Sequence, residues 1–152
     1  MPKVAIVMGS TSDAEVMAVS KKYLQYFNID SEVFTLSAHR TPEQTAAFAK
    51  SAEEKGFSAI IAGAGMAAHL PGVIASFTSL PVIGVPLSGS ALNGIDALYA
   101  IVQMPAGVPV ATMAIGKAGA ANAAVFCARM LAAQHKSIKE KLIQFTNQGC
   151  KL

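Results

Sequence analysis

Between Lys55 and Lys117 the chain contains a single Asp, Glu, Lys or Arg, which is Asp96. Charged residues make up 14% of the chain and hydrophobic residues 53%, whereas a typical soluble domain is about 25% charged. Glycine and proline recur through this segment, so no apolar run of about 20 residues exists and no membrane span is predicted. We therefore expect strands buried on both faces, together with helices that pack against other subunits of a homo-oligomer.

Short apolar runs alternate with segments of helical periodicity along the chain. Strands are predicted at Val4–Met8, Glu32–Leu36, Ala59–Ala62, Pro81–Val85 and Val110–Ala114. Such alternation favours an α/β fold, a three-layer α/β/α sandwich around a flavodoxin-like parallel sheet of five strands in the order 2-1-3-4-5. One catalytic domain is predicted over residues 1–135, followed by a short basic helical tail over residues 136–152.

The net charge of +3 comes from the tail and does not indicate nucleic-acid binding. Residues 1–135 contain eight basic and eight acidic side chains, whereas the tail has four lysines and one glutamate. A short basic segment without interleaved aromatic residues is typical of a solvated helix face. The two cysteines, Cys127 and Cys150, have no metal-ligand spacing and are typical of reduced thiols. With no signal peptide before the first strand, a cytoplasmic protein is expected.

Three loops follow the first three predicted strands, and the predicted strand order brings them together at one edge of the sheet. They are "GSTSD", "SAHRTP" and "GAGMAAHLPG". Ligands of such sheets bind at the carboxyl ends of the strands, beside the point where the strand order reverses. Two of these loops lead into helix starts, since Ser12 with Glu15 and Thr41 with Gln44 both have capping-box spacing and Pro42 suits a first helical position.

The polar side chains of these loops predict a site for a phosphorylated ribose compound. Helix N-termini, the hydroxyls of Ser10 and Ser12 and the guanidinium of Arg40 all suit phosphate. Asp13 is anionic and suits a sugar diol instead. The alternative is that the serines and Asp13 are only helix caps, a role that does not require Arg40.

His39 stands directly before Arg40 and is a candidate general acid and base, because histidine titrates near neutral pH. A single histidine can equally be a structural hydrogen-bonding residue. No metal constellation is present, and "AIGKAGAANAA" lacks the first glycine and the Ser or Thr of a P-loop. Taken alone, the residues predict an enzyme that acts on a small phosphorylated ribose compound without a cofactor.

Several segments carry a resemblance to a known family. The segments that carry the resemblance are "VAIVMGSTSD", "SAHRTP", "IIAGAGMAAHLPG" and "LPVIGVPLSGSALNGIDALYAIVQMPAGVPVATMAIGKAGAANAA". The chain resembles the N5-carboxyaminoimidazole ribonucleotide mutases of de novo purine synthesis over Val4 to about Ala133. The resemblance implies a homo-octamer without metal, nucleotide or flavin, in which carboxylate moves from the exocyclic nitrogen to carbon 4 of the imidazole. It implies that carbon dioxide is held in the site while His39 takes the carbon 4 proton and donates a proton to the departing nitrogen.

The same resemblance assigns further residues to the site. Substrate-binding positions of the family match Ser10, Asp13 and Arg40. The positions expected to line the site beside these residues and Ser12 are Ser37, Gly65, Ala68 and Leu70, and His69 also matches the family's pattern. Two departures are Met66, where the family usually has a second glycine, and the short lysine-rich tail. Two other functions stay open, namely an aminoimidazole ribonucleotide carboxylase that uses free carbon dioxide and a non-catalytic ribonucleotide-binding module.

Overall fold

The computed structural model describes all 152 residues and has five strands and six α-helices. The strands are β1 (Lys3–Met8), β2 (Asp30–Thr35), β3 (Phe57–Gly65), β4 (Val82–Leu87) and β5 (Ala111–Thr112). The helices are α1 (Ala14–Tyr26), α2 (Pro42–Ser51), α3 (Leu70–Phe77), α4 (Ile95–Val102), α5 (Lys117–Leu131) and α6 (Lys136–Asn147). None of these helices is both long enough and apolar enough to cross a membrane.

The strands form one parallel sheet in the order β2-β1-β3-β4-β5, which confirms the predicted order. All five predicted strands exist, with shifted ends. β3 extends to Gly65, whereas β5 pairs with β4 only at Ala111 and Thr112. The sheet is therefore the predicted flavodoxin-like one, with its last strand much shorter than expected.

Apolar side chains cover both faces of the central strands. In β1, Val4, Ile6 and Met8 belong to one buried cluster, which also contains residues of α1, α5 and α6. Ala5 and Val7 belong to a second cluster, which contains residues of α2, α3 and α4. Because consecutive side chains of a strand point to opposite faces, the continuous apolar runs of the sequence become a sheet covered on both sides.

The C-terminal segment forms helix α6, which completes the first of these clusters. Ile138 and Phe145 of α6 are buried, at 1% and 4% exposure. The ring of Phe145 packs 5.3 Å from that of Phe27 and 6.0 Å from that of Tyr23, measured between centroids. Lys136 and Lys139 are exposed, whereas Lys141 is half-buried and its Nζ lies 5.3 Å from the centroid of the Tyr26 ring.

The uncharged segment between Lys55 and Lys117 is only partly buried within the chain. Strands β3 and β4 lie inside the sheet, but α4 has an outward face on which Ile95, Tyr99 and Val102 are 45%, 63% and 48% exposed. Leu92, three residues before the start of the helix, is 62% exposed. A single chain therefore leaves a contiguous apolar surface in contact with water, as the composition predicted.

Candidate active site

A cavity of about 650 Å³ lies at the carboxyl ends of β1, β3 and β4, beside the loop that follows β2. It is lined by 17 residues, and they include all ten of the site residues predicted from the sequence. Those ten are Ser10, Ser12, Asp13, Ser37, His39, Arg40, Gly65, Ala68, His69 and Leu70. The topology therefore gathers the three predicted loops around one space.

The first loop begins α1 differently from the prediction. The hydroxyl of Ser10 accepts hydrogen bonds from the backbone N–H and the hydroxyl of Ser12, at 3.3 and 3.0 Å. Ser10 thereby caps a single 3₁₀ turn, Thr11–Asp13, that precedes α1. The prediction of a capping box formed by Ser12 and Glu15 is wrong, because this turn makes Asp13 rather than Ser12 the residue before the helix.

The second loop is held by hydrogen bonds around Ser37. Its hydroxyl accepts from the backbone N–H of Arg40 at 3.0 Å, and its own N–H donates to the hydroxyl of Thr41 at 2.9 Å. The buried hydroxyl of Thr45 also donates to the carbonyl of Ser37, at 3.1 Å. Pro42 occupies the first position of α2 as predicted, but Thr41 does not cap the helix with its side chain, because its hydroxyl is bonded to Ser37 instead.

This loop leaves the two side chains at its tip free to face the cavity. His39 and Arg40 are both exposed, and none of the ion pairs of the chain involves Arg40. An arginine without a carboxylate partner beside helix N-termini can hold an anion with its planar fork.

The second and third loops meet through two histidines. Nε2 of His39 lies 2.7 Å from Nδ1 of His69, and the rings are nearly perpendicular, at 75°. At this distance one ring nitrogen donates and the other accepts, so a proton lies between the two rings. The sequence predicted both histidines for the site but not their contact.

The third loop forms an apolar wall of the cavity. Ala68 and Leu70 are each 2% exposed, whereas Met66 is 64% exposed. Met66 has a φ of +56°, in the left-handed region that a non-glycine side chain adopts at a cost. The wall therefore combines a buried apolar surface with one projecting thioether side chain.

Asp13 lies in a partly dehydrated position at the edge of the cavity. Burial raises the pKa of its carboxyl above the ordinary value, and the hydrogen bond with the backbone of Ser10 opposes this rise. A carboxylate that is short of water is ready to accept hydrogen bonds from a ligand's hydroxyl groups.

A fourth loop, which sequence reasoning missed, also lines the cavity. Ser88 and Gly89 follow β4 and both reach the cavity surface. They carry no titratable side chain, so chemistry alone did not single them out. Their place after an apolar strand next to β3 was the available signal, since neighbouring strand ends share one edge of the sheet.

No group of three His, Cys, Asp or Glu side chains is placed to hold a metal ion.

Comparison with known proteins relates this chain to a family. The family model described as AIR carboxylase matches residues 3–151. The N5-carboxyaminoimidazole ribonucleotide mutase of Saccharolobus solfataricus is 55% identical over 146 residues, which cover 96% of this chain and 91% of that protein. The protein of that name from Escherichia coli K12 is 54% identical over 140 residues, covering 92% and 83%.

Among solved structures, the crystal structure of Treponema denticola PurE is similar to this chain. The TM-score is 0.89 at 26% sequence identity, and the match covers 99% of this chain and 92% of that one. The sheet order and the helices that surround the cavity therefore follow an architecture already seen in a solved relative.

Proposed function

The chain belongs to the AIR carboxylase family, and on that premise we propose how its cavity carries out the N5-carboxyaminoimidazole ribonucleotide mutase reaction of purine synthesis. The reaction is an isomerisation in which the carboxylate leaves the exocyclic nitrogen and joins carbon 4 of the imidazole. The observation that carries the proposal is the contact between His39 and His69 inside a cavity that also holds Arg40, Asp13 and the apolar third loop.

The phosphate of the substrate binds at the first and second loops. Arg40 supplies a charged fork without an ion-pair partner, and Ser12 and the turn capped by Ser10 line the same cavity. Charge-assisted hydrogen bonds of this kind are shorter and stronger than neutral ones. Ser37 keeps the backbone of Arg40 in place. This end of the cavity fixes the substrate's position without taking part in the bond changes.

Asp13 binds the ribose. Its carboxyl lies next to the proposed phosphate position and is partly dehydrated, so a diol that donates hydrogen bonds to it replaces the missing water. A second phosphate or another anion at this point would be repelled. A cavity lined by both the cationic Arg40 and the anionic Asp13 therefore favours a sugar phosphate over a plain dianion.

His39 moves the proton that the isomerisation requires, and His69 orients His39. When the bond between the exocyclic nitrogen and the carboxylate breaks, the nitrogen gains a proton and carbon dioxide forms. When carbon 4 attacks the carbon dioxide, the new carbon–carbon bond forms and the carbon 4 proton is released. One proton is used and one is returned, so a single His39 serves both steps, and His69 holds the tautomer of His39 through their hydrogen bond.

The third loop holds the carbon dioxide between these two steps. Gly65, Ala68 and Leu70 offer a surface with little polarity, and Ala68 and Leu70 are buried. A small apolar molecule is retained there because water gains little by replacing it. No step of this reaction calls on a metal or an organic cofactor.

The description of the family model favours one second candidate, a carboxylase that adds free carbon dioxide to the aminoimidazole ribonucleotide. The names of the relatives that are more than half identical favour the mutase. Purified protein is mixed with the N-carboxylated ribonucleotide, without ATP or metal, and its conversion is followed spectroscopically. Conversion supports the mutase. Activity only on the uncarboxylated ribonucleotide with carbon dioxide supports the carboxylase, and binding without turnover supports a ribonucleotide-binding module.

We propose that the protein works as a homo-octamer in the cytoplasm. Ile95, Tyr99 and Val102 are exposed on the apolar face of α4. An apolar surface of a second copy of the chain would bury this face in a subunit interface. Both cysteines are free, with Cys127 buried, which suits a reducing compartment. Burial raises the pKa of the Cys127 thiol to about 12, so it stays protonated.

A further inference from the structure

The fourth loop, defined here as Ser88–Gly94, provides a wall of the cavity next to the third loop. In the parallel register of β3 and β4, Gly65 lies opposite Leu87. Ser88 and Gly89 therefore continue from the strand end beside Met66 and reach the cavity surface. Gly89 has a φ of +143°, a backbone conformation that other residues rarely adopt.

One side chain, that of Ser90, holds this loop in its folded shape. Its hydroxyl donates to Oδ2 of Asp96 at 2.9 Å and accepts from the backbone N–H of Leu92 at 3.3 Å. The carbonyl of Ser90 accepts from the backbone N–H of Asn93 at 3.2 Å. The turn thus closes through Ser90, two residues after the wall begins.

The other end of the loop is packed against its beginning. A Cβ on Gly94, whose φ is +87°, would lie 2.7 Å from Cγ2 of Ile115 and 3.4 Å from the backbone N and Cα of Ser88. Such a close approach is possible only for glycine. The position of Ser88 is therefore fixed both by the packing at Gly94 and by the hydrogen bond at Ser90.

The partly buried position of Asp96 costs free energy that a residue serving only to begin a helix would not need to lose. It lies in the first turn of α4, where the helix dipole stabilises a carboxylate. An exposed acidic residue would give that benefit as well, yet Oδ1 of Asp96 is buried and has no hydrogen-bond partner. Burying an unpaired carboxylate oxygen costs free energy. The oxygen that does have a partner is the one that holds Ser90.

We infer that Asp96 is a positioning residue, which acts through Ser90 to set the cavity wall of Ser88 and Gly89 for the reaction. This inference rests on the proposed function. It gives a role to the only charged residue between Lys55 and Lys117. A wall displaced by a fraction of an ångström changes how the substrate's ring and carboxylate are oriented, and orientation is a large part of catalysis.

The test compares Ser90→Ala, Asp96→Ala and the double variant with the unaltered chain. Removal of the charge-assisted hydrogen bond is expected to lower kcat/KM by about 10-fold or more in each single variant. The double variant is expected to be no worse than Asp96→Ala, because the two side chains act as one unit. Ser90→Thr, which keeps the hydroxyl, is expected to retain most of the activity.

A matched control is available at the opposite end of the sheet. The hydroxyl of Ser79 donates to Oε2 of Glu53 at 3.0 Å, so Ser79→Ala removes the same kind of hydrogen bond far from the cavity. This variant is expected to leave kcat/KM unchanged. Binding of ribose 5-phosphate, measured by titration calorimetry, is expected to be unchanged in every variant, since it needs only the first and second loops.

Unchanged kcat/KM in Ser90→Ala and Asp96→Ala would overturn the inference. A loss of ribose 5-phosphate affinity as large as the loss of kcat/KM would also overturn it, because that would show a general disturbance of the fold rather than a displaced wall. Turnover by the unaltered chain tests the proposed function separately. If the unaltered chain shows no turnover, the affinity of the variants for the whole ribonucleotide, measured by calorimetry, decides the inference. A displaced wall weakens that affinity, and an undisturbed wall leaves it unchanged.

Discussion

Nε2 of His39 and Nδ1 of His69 lie 2.7 Å apart, although 30 residues separate them in the chain. The contact joins the loop after β2 to the loop after β3, across the end of β1. Because the hydrogen bond leaves Nδ1 of His39 as the free ring nitrogen, the pair fixes which nitrogen of His39 can exchange a proton with a ligand. The catalytic proposal depends on this arrangement.

The first prediction is that His39→Asn lowers kcat by at least about 100-fold, the usual contribution of general acid–base catalysis. Asparagine keeps a polar side chain but cannot shuttle a proton, so substrate binding should be retained. His135→Asn is the control, since His135 precedes α6 and does not line the cavity. Steady-state kinetics decide the matter, and near-normal turnover in His39→Asn would remove His39 from the catalytic role.

The second prediction concerns the phosphate end. Arg40→Ala should raise KM by about 10-fold or more while kcat changes less, because a charge-assisted contact made in both ground and transition states is lost. Arg129→Ala is the matched control, because Arg129 is the only other arginine and lies on α5 away from the cavity. Equal affinity of the unaltered chain for the phosphorylated and dephosphorylated ribonucleotide would contradict the assignment.

The third prediction concerns Asp13 and the pH dependence of stability. Its pKa is raised in the folded chain, so the folded chain binds this proton more tightly than the unfolded chain does. The contribution of this proton to the free energy of unfolding is fully present below the ordinary pKa of the carboxyl. It is lost as the pH rises through the raised pKa of the folded chain. At neutral pH the dehydrated carboxylate therefore destabilises the fold. Asp13→Asn should raise the free energy of unfolding at pH 7 and weaken ribonucleotide binding, as denaturant titration and calorimetry would show.

Much of this site could be predicted before the structure, for identifiable reasons. Parallel strands buried on both faces leave continuous apolar runs, and the order of such strands determines which loops meet. That was enough to bring Ser10, His39 and His69 into one cavity. The capping-box prediction at Ser12 failed because a 3₁₀ turn competes with a direct helix start, and spacing alone does not distinguish the two.

The residues that sequence reasoning missed act through backbone position rather than through side-chain chemistry. Ser88 and Gly89 line the cavity because β4 ends beside β3, and their role is visible only once that register is known. The contact between His39 and His69 likewise depends on loop conformations. No periodicity in the sequence encodes the direction of a side chain at the tip of a loop.

The fourth prediction concerns Met66, whose φ is +56°. Met66→Gly should raise the free energy of unfolding by up to about 1 kcal/mol, because glycine adopts the left-handed conformation without the Cβ cost. Met66→Ala is the control, since it removes the thioether but keeps the cost. If both variants change kcat/KM alike, the side chain shapes the cavity. If only Met66→Gly does, the flexibility of the third loop is responsible, and thermal denaturation of both variants measures the backbone effect.

The last prediction concerns assembly and the apolar face of α4. Tyr99 is 63% exposed between Ile95 and Val102, so in a closed assembly its ring would lie at the centre of a contact between subunits. Tyr99→Glu would bury an unpaired charge there, which costs several kcal/mol, and should dissociate the particle and reduce activity. Ile143→Glu is the control, because Ile143 on α6 is 55% exposed on a face that also carries lysines. Sedimentation velocity should show a particle larger than a dimer for the unaltered chain and for Ile143→Glu, and a smaller species for Tyr99→Glu. An unaltered chain that sediments as a fully active monomer would show that α4 needs no partner.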